Sequence, residues 1–379
     1  MYNLKLAELG DVLNTESPLI SRGNALFGIV LVVYLARLFI SFVIISTEGL
    51  EFNIWSYGHD ELQWQRASLL LPESGISSEY ITFLMNGEAS WSALGFPSVV
   101  GLLHLLMGAS YENVLIVKFG TLALALLSLN FLYDHKPLEY RCSVMICYLL
   151  YWPLLILSWT YMRDDYIVNM ILIFCALSKA LIRKPSLMMI FLIALVFQQL
   201  MFTRVAASLV AISLSLFYFL DLKIISLVKL RWKLITFSMA IFGSIMLFIQ
   251  KGFFDTLVGF IITNAKVDLS IIFLSAKWFL GPLPWNMVFE YVDSGLNPAW
   301  YMFTLAASLL LLLNFKSIRS IQRHFVTLLL LWITGFLPYY FLHWSVDIVG
   351  PRQFAMVGFF HFLIVYSWIF DLKKLKRGR

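Results

Sequence analysis

Long apolar runs separated by short polar gaps dominate this chain, and the runs repeat at nearly constant length. A hydrocarbon core of about 30 Å takes roughly 17–25 residues of helix to cross. Runs of that order fall near 25–47, 113–133, 142–161, 166–182, 187–203, 205–220, 234–250, 299–315, 325–342 and 354–370. They predict an all-α, polytopic integral membrane helix bundle of about ten transmembrane helices. An eleventh stretch, 94–109, carries Gly95, Pro97, Gly101 and Gly108 and reads as a re-entrant or interfacial helix. Two substantial loops, 48–93 and 251–298, and shorter ones at 162–165, 203–205 and 343–353 then share one face. With no soluble domain, linker or strong internal repeat, residues 1–379 read as a single transmembrane domain. Loops of this length between spans usually carry function.

Composition agrees. Of 379 residues 60% are hydrophobic and 13% charged, and the mean hydropathy is +0.83, outside the range of soluble globular domains. Orientation follows from Lys and Arg in short loops. With the N-terminus cytoplasmic, nineteen of the 28 cations fall on the inner side, among them Lys136, Arg141, Lys179, Arg183, Lys184 and the cluster in the C-terminal LKKLKRGR. The C-terminus is then cytoplasmic as well. Arg66, Arg163, Arg204, Lys251, Lys266, Lys277 and Arg352 face outward, and Arg37 and Lys118 lie inside spans. This sorting requires that 94–109 does not cross, since one more crossing would invert every later loop. The first apolar run is too long for a cleaved signal and contains Arg37, so it reads as a retained anchor. Cys142, Cys147 and Cys175 lie in or beside spans at no metal-like spacing, which argues against disulfides and a cysteine-ligated metal. The pI near 9.1 comes from cations dispersed over inner loops, which suits anionic lipid headgroups and not nucleic acid.

Candidate chemistry concentrates on the outward face. Asp60 and Glu61 open a segment free of Gly and Pro that can be helical to Leu71. A carboxylate there can serve as general base toward an attacking hydroxyl, or simply as a helix-start acid. Arg163, Asp164 and Asp165 stand between two spans with almost no loop, and Asn169 follows Asp165 by one helical turn. The two acids can hold a divalent cation through oxygen ligands or orient Arg163, and a solvated turn is the plainer reading. Arg204, beside Gln198 and Gln199, shares this face with Arg163 and Arg352, so that the guanidiniums can converge into a phosphate clamp. His343 can protonate a leaving group or act as a passive interfacial residue. Arg37 reads as structural glue or as part of a lipid-phosphate path, and Pro282 and Pro284 as a rigid rim.

An acidic pair in the first outward loop (Asp60, Glu61) is followed by an apolar helix with Pro97, the turn Gly108-Ala109-Ser110, Arg163-Asp164 at an outward helix start and Gly350-Pro351-Arg352 before the last helix. In this order the chain resembles the GT-C-type glycosyltransferases. In length, aromatic content and its two outward loops it is also similar to bacterial O-antigen and exopolysaccharide polymerases. The resemblance implies glycosyl transfer from a polyprenyl-phosphate- or pyrophosphate-linked sugar to a glycan acceptor, on the outer face of a bacterial cytoplasmic (inner) membrane. By the same resemblance Asp60 is the base, with Glu61 beside it. Arg66, Arg163, Arg204 and Arg352, with Asp164, Asp165 and His343, bind substrate; no cofactor is required and a divalent cation is possible. A base opposite the departing phosphate implies inversion at the anomeric carbon. A different class, a transporter or flippase of lipid-linked sugars, would use Arg37 and Lys118 to line a path.

Overall fold

The computed structural model describes residues 18–48, 59–74, 95–151, 154–155, 158, 163–219, 327–328, 331, 358–367 and 370. Among them there is no strand. The helices are α1 (Pro18–Glu48), α2 (His59–Ser74), α3 (Phe96–Met107), α4 (Glu112–Leu132), α5 (Leu138–Leu149), α6 (Asp164–Arg183), α7 (Leu187–Thr203) and α8 (Val205–Ser213), which continues as a π-helix over Leu214–Phe219. A last helix, α9, covers Gly358–Ser367.

Local chemistry sets the ends. Glu112 lies in the first turn of α4, and Asp164 and Asp165 in that of α6, where the helix dipole favours negative charge; Arg183 lies in the last turn of α6, where it favours positive charge. Ser186 caps α7 by accepting a hydrogen bond from the Met189 amide at 3.2 Å. Gly108, with φ of 88°, ends α3 while its amide donates to the His104 carbonyl at 2.9 Å.

Three segments are long and apolar enough to cross a membrane: Asn24–Ile44, Glu112–Leu132 and Asp164–Arg183. The exterior is oily: Val32 and Phe39 on α1 are 65% and 67% exposed, and Leu127 on α4 is 63% exposed. Arg37, Lys118, Asp164 and Asp165 are buried. That inverts the distribution of a water-soluble surface.

Helices α4 and α6 run side by side in the same direction, tied at one end by Lys118 and Asp165 and at the other by Lys179, which donates to the carbonyls of Phe131 and Leu132. One end of the bundle therefore gathers Lys136, Arg141, Lys179, Arg183 and Lys184. The opposite end gathers the starts of α4 and α6 and the end of α7.

Helix α3 belongs wholly to that second end. Gly95, just before it, abuts Thr203 at the end of α7 so closely that a Cβ would lie 2.2 Å from Thr203 Oγ1 and 2.8 Å from its backbone. Phe96 packs on Tyr166 in the first turn of α6, with ring centroids 5.2 Å apart. At its other end, His104 and Gly108 meet Asn113 in the first turn of α4. Twelve residues of helix reach about 18 Å, and both ends touch the same end of the bundle. A helix of this length with both ends at one end of the bundle lies across that end. Helix α2 packs on α3, where the Ser68 carbonyl and Leu71 fit against Gly101.

Run by run, 25–47, 113–133, 166–182, 187–203 and 205–220 correspond to α1, α4, α6, α7 and α8 with its π-helical extension. Helix α2 continues through Pro72 to Ser74, past the expected stop at Leu71. The run 142–161 differs: α5 begins at Leu138 and ends at Leu149. In a continuing α-helix the amide of residue 153 would bond the Leu149 carbonyl, and Pro153 has no N–H. The runs 234–250 and 299–315 lie outside the described residues, as does all but a few residues of 325–342.

Candidate functional site

Asp164 and Asp165 are neighbours in sequence, and on a helix consecutive residues point about 100° apart. The structure therefore sends them to different partners. Asp164, fully buried, accepts a hydrogen bond from Arg204 Nη1 at 3.0 Å. Asp165 pairs with Lys118 Nζ across the α4–α6 interface, also at 3.0 Å. The pair thus holds two cations from two elements instead of jointly facing one ion, and among the described residues no group of three His, Cys, Asp or Glu side chains is placed to hold a metal. Arg204 is occupied by Asp164, so the expected convergence of free guanidiniums takes a different form. Arg163 stands at the start of α6, half-buried, with its carbonyl accepting from the Ile167 amide at 3.0 Å. Arg66 is exposed on α2. Asp60 and Glu61 lie in the first turn of α2, with side chains outside the described part of the structure, and His343 and Arg352 lie outside the described residues.

Asn169 does share the space of Asp165, one turn on. It accepts a hydrogen bond from the Tyr148 hydroxyl and donates to Thr121 Oγ1 at 3.2 Å. Around these groups lies an interior chamber that charge sorting alone leaves unassembled. Arg37, in the middle of α1, donates from Nη1 to the Leu149 carbonyl at 3.1 Å, from Nη2 to the Leu154 carbonyl at 2.6 Å and from Nε to Ser158 Oγ at 3.3 Å. The first of these is the carbonyl that Pro153 leaves without its helical donor. The arginine caps the end of α5 from across the bundle, and its charge sits at the negative end of that helix. The sequence signal was present in two pieces, a lone arginine in one apolar run and a proline in another.

Above the chamber, Lys118 Nζ also lies 5.8 Å from the centre of the Phe96 ring, a cation–π contact that ties α3 to the ion pair. Asn113 donates through Nδ2 to the Gly108 carbonyl at 2.7 Å and lies 2.9 Å from His104 Nδ1, toward which the Ser110 amide also donates at 3.4 Å. With donors on that side, Nδ1 accepts and the ring proton resides on Nε2.

At the basic end, Asp134 in the turn after α4 takes hydrogen bonds from Lys179, at 2.9 Å, and from Arg183. Burial pushes its carboxyl up, but the hydrogen bonds and charges of Arg183 and Lys179 outweigh burial and bring it down to about 2. Three tyrosine hydroxyls, from Tyr133, Tyr140 and the π-helical Tyr218, gather on Ser367 of α9. This end is locked by structure. The other has the acids, the rim arginines and α3 lying across it. No protein-family model, curated protein or solved structure matches the chain.

Proposed function

We propose that this protein is a membrane-embedded glycosyltransferase or repeat-unit polymerase of surface polysaccharide synthesis, working on the outer face of a bacterial cytoplasmic membrane. Its donor in this reading is a polyprenyl-phosphate- or pyrophosphate-linked sugar, and its acceptor a glycan. One observation carries the reading: α3 lies across the end of the bundle that holds Arg163 and Arg204, and α2, with Asp60 and Glu61 in its first turn, packs on α3. In this reading the candidate base on α2 and the candidate phosphate contacts serve one end of the bundle, opposite the cation-rich end that the positive-inside rule assigns to the cytoplasm.

In this reading Asp60 takes the proton from the acceptor hydroxyl as that oxygen attacks the anomeric carbon. The bond from carbon to phosphate oxygen breaks, the electron pair leaves with the phosphate, and the sugar inverts. In this reading Arg163 and Arg66 meet the leaving phosphate, a contribution worth several kcal/mol in a water-poor site. Arg204 serves differently, by holding Asp164 and so the start of α6. A divalent ion at Asp164 or Asp165 would have to displace Arg204 or Lys118.

The test is transfer by the purified protein in nanodiscs from a synthetic polyprenyl-linked sugar, compared with surface polysaccharide on gels. Asp60→Asn is expected to lower turnover by about 10²–10⁴-fold, and Arg163→Gln to lower it with a weaker apparent affinity for donor. Full turnover in both variants removes the proposed site. The alternative, a transporter of lipid-linked sugars, draws on the chamber of Arg37, Lys118 and Asp165 within the bundle. Build-up of inward-facing lipid intermediate, with in vitro transfer absent, would favour it.

A further inference from the structure

The chamber between α1, α4, α5 and α6 has room for about one water-sized species. Its charged lining consists of Arg37, Lys118 and Asp165, all at most 4% exposed. Two cations face one carboxylate, which leaves one positive charge on the wall. The last carbonyls of α5 offset part of this charge at Arg37, while the start of α6 adds the positive end of a helix dipole beside Asp165. An unmatched charge in a bundle interior is strongly unfavourable. Arginine offers five N–H groups, and Arg37 directs three of them to Leu149, Leu154 and Ser158. Two remain for a further acceptor. The rest of the wall combines apolar Phe119, Leu122 and Leu154 with Tyr148, Asn169 and Ser158, the first two of these bonded to each other and the last to Arg37, and the small space excludes a larger hydrated ion.

We propose that this chamber is a binding site for a small monovalent anion of chloride size. The anion accepts from Arg37 and lies beside the Lys118 ammonium, balancing the wall and bracing the end of α5 against α1, α4 and α6. Chloride is slightly larger than water, and the long jointed side chains of Arg37 and Lys118 can yield that difference. Phosphate and carboxylate ligands are too large for the space. The inference does not depend on glycosyl transfer, since it is read from stability alone.

The experiment is thermal unfolding of the full-length protein in nanodiscs, in chloride against gluconate at equal ionic strength. Chloride is expected to raise the midpoint saturably, by about 2 °C or more, bromide less and the larger iodide not at all. Leu122→Phe, which fills the chamber, is expected to abolish the chloride response. Asp165→Asn removes the wall's carboxylate and is expected to lower the half-saturating chloride concentration by about tenfold, a second readout should the phenylalanine variant fail to fold. Equal midpoints in chloride and gluconate for the parent protein would overturn the proposal. So would an undiminished response in folded Leu122→Phe, or an unchanged half-saturation in Asp165→Asn.

Discussion

Position 153 is a proline, and its missing N–H leaves the Leu149 carbonyl without a donor inside an apolar bundle. Arg37 supplies the donor at 3.1 Å and a second one to Leu154. Leaving such groups unpaired costs about 1–3 kcal/mol each. Arg37→Met is therefore expected to destabilise the protein substantially. Pro153→Ala restores the amide that a continuing helix would direct to Leu149, so in that background the loss should shrink by about 1 kcal/mol, as read by reversible unfolding in mixed micelles. A loss that is the same in both backgrounds contradicts the pairing. Asp134 gives a pH dependence with a definite sign. Its folded carboxyl titrates near 2, below the ordinary 3.8. Its contribution is thus fully present above about pH 4 and disappears as pH falls through 2. Because Asp134 is 28% exposed, solvent screens the effect, and a shallow slope in that window, abolished by Asp134→Asn, is the expected outcome.

Among the elements, α3 is where fine fit matters most. Gly95 lies against the backbone of Thr203, and no rotamer change at Thr203 can admit a methyl group. Gly95→Ala is expected to lift the start of α3 and loosen the contact of Phe96 with Tyr166 and Lys118. Proteolysis of α2 and α3 should become faster while the ion pairs at the basic end persist; an unchanged protease pattern argues against tight docking. The apolar runs for α1, α4, α6 and α7 were legible because length and hydropathy are local properties. The end of α5 was less so, since 142–161 is one apolar run, and where its first helix stops appears only when the backbone donors are followed. The partners of Asp164 and Asp165 were illegible for another reason. Arg204 is forty residues from Asp164, and only the geometry of a helix start sends the two acids apart. Asn169, one turn from Asp165, could be placed beside it because that relation is internal to a helix.

Across the described helices, two ends of opposite character emerge from a bundle whose exterior is apolar. Lys136, Arg141, Lys179, Arg183 and Lys184 occupy one end, fastened by Asp134 and the tyrosine cluster on Ser367. At the other, α3 lies across the bundle and α2 packs on it. The alternation of cations along the sequence anticipated this division among the described residues, and the side on which the stretch before 94–109 falls depends on that segment not crossing. The proposed reaction inherits the same dependence, because Asp60 precedes that segment and Arg163 and Arg204 follow it. Labelling with a membrane-impermeant maleimide tests this most directly, using single cysteines at Glu88, Ser110 and Lys184 in a background lacking Cys142, Cys147 and Cys175. In intact spheroplasts Glu88→Cys and Ser110→Cys should both react from outside, and Lys184→Cys only after permeabilisation. Reaction of Glu88→Cys and Ser110→Cys from opposite sides would contradict the account, since the helix bearing Asp60 would then be divided by the membrane from Arg163 and Arg204.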